Sequence, residues 1–138
     1  MKSHVWPSLF IALGTLIAVS VSPVRAHHSF AAEFDASKPI TLTGVVTQID
    51  WANPHVWFYI NVKDEEGKMT RWACEMGAPH QLQQRGWLRD TMKVGDMVTM
   101  VGSLARDGAR RANARMVTTA DGKTLGAASS GDPTTTRQ

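Results

Sequence analysis

Between Thr41 and Val62 the chain alternates apolar and polar residues in the manner of strands buried on one face. In "HVWFYINV" (His55 to Val62), Val56, Phe58, Ile60 and Val62 fall on one side, and His55, Trp57, Tyr59 and Asn61 on the other. The preceding run, "TLTGVVTQIDW" from Thr41 to Trp51, is rich in Thr, Val and Ile and is broken by "ANP". "DEEGK" then forms a charged hairpin turn, and "MTRWACEM" (Met69 to Met76) returns as a third strand with Trp72, Cys74 and Met76 sharing a face. The pattern changes at "APHQLQQRGW": Pro79 suits a first helical turn, Leu82 follows, and Gly86 stops it. "VGDMVTMVGSLA" and "ARMVTTADG" supply a fourth and a fifth strand, separated by the loop "RDGARRAN".

Three strands, a short helix and two further strands form the order of an all-β, five-stranded OB-like Greek-key barrel, with the helix between strands three and four. An immunoglobulin-like sandwich needs about seven strands and no helix in mid-chain; a small open α+β sheet is the main competitor. The barrel is expected over residues 41–125, preceded by an N-terminal arm over 27–40. Residues 126–138, "GAASSGDPTTTRQ", lack large apolar side chains and are expected to form a disordered tail.

The first 26 residues follow a different pattern. Lys2 opens a short polar start, "LFIALGTLIAVSV" is uncharged, and Val24 and Ala26 occupy the two small-residue positions of a cleavage site. This is the layout of a secretory signal peptide, and the apolar run is shorter than the roughly 20 residues of a membrane span. Cleavage after Ala26 delivers the protein to the periplasm or the exterior with His27 as its first residue and no stable membrane span. Removing Lys2 and Arg25 from the 15 Lys and Arg leaves 13 basic against 12 acidic side chains. Near-neutrality argues against nucleic acid as a partner, since that role needs a concentrated basic surface. With Cys74 the only cysteine, no internal disulfide can form.

The set "HHSFAAEFD", "PITLTGVV", "WANPHVWFYINV", "WACE", "LQQRGW", "VGDMVTM" and "ARDG" resembles the bacterial exported proteins grouped as domain of unknown function 6152. The resemblance spans about residues 27–125, with "HHSF" at the mature start and "NPH" its most specific parts. It implies export and a small β-barrel, and it supplies no activity. His80 departs from the family's usual polar residues at its position and takes no role from it.

The chemistry concentrates in histidines. A first-residue histidine offers its α-amine and ring Nδ1 to the same ion, and a second histidine completes the T-shaped three-nitrogen set of a histidine brace. Imidazole suits several metals, with affinity peaking at Cu(II). His27, with His28 or His55, is therefore the candidate copper site. Residues 27–41 span at most roughly 45 Å when extended, so His55 is within reach. Cys74 and Met76 are soft ligands in principle but read as core, and His80 reads as surface. Trp57 and Tyr59 share the outward face with His55 and form a candidate ligand-binding platform for an envelope protein or small ligand, unless Phe30 and Phe34 of the arm cover them. Glu75 stands in a strand among apolar residues and is expected to pair with Arg71 or another arginine. No nucleophile elbow, phosphate loop or paired carboxylates are present, so no catalytic residue is assigned. Two classes of function follow. One is an exported copper-binding module for storage, delivery or redox work. The other is a non-metal interaction module docking a partner on Trp57 and Tyr59.

Overall fold

A computed structural model describes residues 29–133 of the chain. The elements run α1 (Phe30–Glu33), β1 (Phe34–Asp50), β2 (Trp57–Lys63), β3 (Met69–Glu75), α2 (Pro79–Gln84), β4 (Met97–Ala105), β5 (Arg111–Thr118) and β6 (Thr124–Gly126). Hydrogen-bonded neighbours follow the order β3-β2-β1-β4-β5-β6, and β3 pairs in parallel with β5. The parallel contact joins Ala73–Glu75 to Arg111–Asn113 and closes a ring of β1, β2, β3, β5 and β4. With α2 between β3 and β4, the chain has the OB-like barrel expected from the sequence.

β1 is long because it serves two neighbours. Its first part pairs with β4 from Phe34 to Val45, and its last part pairs with β2 from Val45 to Asp50. The register shifts between Asp35 and Pro39 and again between Val46 and Gln48, and such bulges bend a strand around a barrel. Asp35 Oδ1 accepts from Ser37 N at 3.1 Å and from Ser37 Oγ at 2.7 Å, which holds the first bend. Those bonds, helped by the Arg106 charge, keep the Asp35 carboxyl below its usual range.

Inside the ring, Val46, Val56, Phe58, Ile60, Cys74 and Met76 are buried with Leu82, Trp87, Val98 and Met100. The alternation read for strands two and three is thus the alternation of the barrel wall. A Cβ on Gly102 would collide with the Asn113 carbonyl oxygen, so β4 and β5 can approach there only around a glycine. At the hairpin between β2 and β3, Asp64 Oδ1 accepts from Lys68 N at 2.8 Å, and Gly67 takes φ +84°.

Three boundaries differ from the sequence reading. The arm and barrel do not divide at residue 40, because β1 begins at Phe34 and its first residues pair with Ala105 and Leu104. "RAN", read as loop, opens β5: Arg111–Asn113 pair with the distant β3, and Ala112 and Asn113 pair with β4 as well. The described part of the expected tail is packed: Ala127, Ala128, Ser129 and Asp132 are buried, and β6 adds an unforeseen short strand. The segment's bonds are non-local. Gly77 N donates to Ala127 O at 2.8 Å, Trp87 Nε1 to Gly126 O at 2.8 Å, and Arg85 Nη1 to Ala128 O at 2.6 Å. Small residues suit this route because the backbones lie close; a Cβ on Gly77 would stand 2.9 Å from Ala128 O. Among the described residues, no helix is long and apolar enough to cross a membrane.

Candidate functional site

Strand register lines up four outward residues across the barrel wall. Trp57 on β2 pairs with Glu75 on β3, Glu75 with Asn113 on β5, and Asn113 with Ser103 on β4. Outward positions on a barrel ordinarily meet water, yet Glu75 is 5% exposed and both Asn113 and Ser103 are 0% exposed. Two chain ends account for this. From the N-terminal side, α1 and the start of β1 bring Phe30 and Phe34 into a satellite cluster with Ala105, against which Trp57 and Ala36 pack. The Phe30 and Phe34 ring centroids lie 5.7 Å apart at 36°. From the C-terminal side, residues 127–132 form a strap. Asn113 Nδ2 donates to Ser129 Oγ at 3.0 Å, Arg115 Nε contacts Asp132 Oδ2 at 3.5 Å, and Arg115 Nη2 donates to Ser103 Oγ at 3.2 Å. A Cβ on Gly131 would lie 3.0 Å from Phe30 Cβ, so strap and arm touch.

His55 enters this row from the connection before β2. Its Nδ1–H donates to Glu75 Oε1 at 2.5 Å, with the two side chains 20% and 7% exposed. A carboxylate can only accept, so Nδ1 carries a proton, and in the neutral ring Nε2 keeps its lone pair for another partner. The hydrogen bond to Glu75 raises the pKa of His55 above 6.5; partial burial opposes it, and the charges of Glu75 and Glu33 add to it. The expected Glu75–Arg71 pair does not form. Four residues along one strand span about 13 Å, and Arg71 instead donates from Nη2 to Gln48 Oε1 at 2.8 Å.

The remaining candidates separate. Trp57 packs against the arm cluster, as a covered aromatic would. Tyr59 is half-buried beneath the Arg71 guanidinium, 4.7 Å from the ring centroid, and its hydroxyl pKa is raised, first by burial. Cys74 faces the core, and burial pushes its thiol up to about 12, which withholds the thiolate a metal needs. Met76 is also in the core, and His80 lies exposed in α2. Among the described residues, no group of three His, Cys, Asp or Glu gathers to hold a metal ion. Of the candidate copper ligands, His55 is described; His27 and His28 lie outside the described residues. The sequence reading missed Asn113, Ser129, Arg115 and Asp132. Their only local signal is polar residues within otherwise small-residue stretches, and their burial comes from the strap.

The model of a family of unknown function (DUF6152) matches residues 15–114. No curated protein matches the chain. Among solved structures, the chain is similar to the S. cerevisiae mitochondrial single-stranded DNA binding protein Rim1, at 8% identity and a TM-score of 0.47, over 59% of this chain and 92% of that one.

Proposed function

The chain belongs to the family of unknown function DUF6152, which offers no activity to inherit, and we propose from its own residues that it is an exported copper-binding module. Its ligands are the α-amine and ring of His27, freed by cleavage after Ala26, with His28 or His55 completing the set. Storage or delivery asks only for these nitrogens; redox work asks also for an open coordination position.

One observation carries the proposal: His55 donates from Nδ1 to a nearly buried carboxylate, Glu75. Metal-binding histidines are commonly held this way, because the second bond selects the tautomer, fixes the ring and raises the basicity of the free nitrogen. The arm's anchorage supports it further. Phe30 is 5% exposed and Phe34 1% exposed, and their cluster includes Trp57, two residues from His55. Phe30 and Phe34, which follow His27 closely in sequence, are therefore fastened to the face on which His55 is oriented. Docking of a partner on Trp57 and Tyr59 draws less support, since Trp57 packs on the arm and Tyr59 on Arg71.

The test is titration of protein beginning at His27 with Cu(II), read by calorimetry and electron paramagnetic resonance. The expected result is tight stoichiometric uptake with a type 2 spectrum, lost when one extra residue precedes His27 and, where His55 is a ligand, weakened in His55→Ala by more than the roughly 10- to 100-fold that loss of a ligand's hydrogen-bond partner costs. Uptake that ignores both changes, or no uptake, overturns the proposal. Mass spectrometry of the exported protein establishes its first residue; a start other than His27 removes the amine ligand.

A further inference from the structure

Asn113 is fully buried and its Oδ1 has no hydrogen-bond partner, while its Nδ2 donates to Ser129 Oγ at 3.0 Å. A buried carbonyl oxygen without a donor is costly, and the two ends of a carboxamide have nearly the same shape. A serine hydroxyl donates as readily as it accepts. Turning the amide over therefore keeps the Ser129 bond, now from Oγ–H to Oδ1, and gives Nδ2 the place of the orphaned oxygen. Two outward neighbours flank Asn113 in register. Ser103 Oγ already accepts from Arg115 Nη2 at 3.2 Å. Glu75, on the parallel strand, is a carboxylate that can only accept.

We propose that Asn113 is a positioning residue for His55: its amide, oriented with Nδ2 toward Glu75, links Ser129 through Asn113 and Glu75 to His55 Nδ1. Each group then matches the next, since Ser129 donates to Asn113, Asn113 to Glu75, and Glu75 accepts from His55. The C-terminal strap thereby reaches the imidazole through one amide. Held from two sides, Glu75 cannot swing away, and Nε2 stays committed as the free nitrogen. The consequence for metal affinity rests on the copper proposal; the orientation of the imidazole does not.

Nuclear magnetic resonance of the metal-free protein tests this, well above the titration range of the imidazole. The wild type is expected to show His55 predominantly as the Nδ1–H tautomer by its ring ¹⁵N shifts, and the Asn113 NH₂ protons close to the Glu75 side chain. Asn113→Leu keeps the shape and removes the amide. It is expected to shift the tautomer ratio toward Nε2–H while the backbone spectrum remains that of the folded barrel. Should Asn113→Leu not fold, Ser129→Ala leaves the amide in place without its anchor and is expected to shift the ratio in the same direction by less. An unchanged tautomer in the folded variant, or Asn113 NH₂ protons close to Ser129 alone with a water on Oδ1, overturns the proposal. Copper titration of the same variants separates the two proposals. A tautomer shift without any copper uptake by the wild type refutes only the metal site, whereas uptake on the order of tenfold weaker supports both.

Discussion

Replacing Glu75 by Gln keeps the shape of the side chain and lets its amide oxygen accept from His55 Nδ1, but it removes the charge. The wild-type bond is short, 2.5 Å, and its partners are 7% and 20% exposed. That places it between a surface ion pair, worth about 0–1 kcal/mol, and a fully buried one, whose breakage costs about 3–5 kcal/mol. A charge-assisted hydrogen bond in such a setting is worth roughly 2 kcal/mol, or on the order of 10 °C in Tm for a domain of this size. The loss depends on pH in a definite direction. The pKa of His55 is raised in the folded protein relative to 6.5, chiefly by the bond to Glu75. Stability from the imidazolium is therefore fully present below about 6.5 and declines as pH rises through the raised native value. Urea unfolding of metal-free wild type and Glu75→Gln across this range is expected to show the larger gap on the acidic side, narrowing toward alkaline pH. In the same titration the His55 ring resonances of the variant are expected to titrate at lower pH than in the wild type. A gap of constant size, or a His55 titration unmoved by the substitution, refutes the assignment of Glu75 as its charged partner.

Phe34→Ala empties a 1%-exposed position in the satellite cluster. It is expected to cost about 3 kcal/mol, the lower end for a buried Phe because the arm can settle into the space; thermal unfolding and Trp57 fluorescence check both the loss and the loosening of the arm. Cys74, its thiol pushed up to about 12 by burial, is expected to resist thiol reagents in the native protein at pH about 8 and to react at the rate of an ordinary thiol once urea unfolds the chain. Rapid native labelling would place Cys74 outside the core.

Much of the wall was legible because strand alternation is a local property. Val56, Phe58 and Ile60 are buried as their spacing implies, and so are Cys74 and Met76. Helix signals at Pro79 and Gly86 likewise act through backbone geometry next to the residues that carry them. His55, Trp57 and Tyr59 were legible as outward neighbours, but whether the arm covers the two aromatics was left open: it meets Trp57, whereas Tyr59 lies against Arg71. Glu75 stood out as a charged residue within an apolar strand, but its partner was misread, because the nearest cation along the chain is not the nearest group in space.

By itself, the order and periodicity of the residues determined a barrel of five strands with one helix in it, since each strand's inward face is written in its own spacing. Only the tertiary structure decided that "RAN" completes the ring, that "GAASSGD" is a strap, and that His55, Glu75 and Asn113 share one covered face. The physical reason is that these depend on pairings between distant segments. Small and polar residues carry no apolar signal of their own, and their burial follows from whatever chain is laid over them.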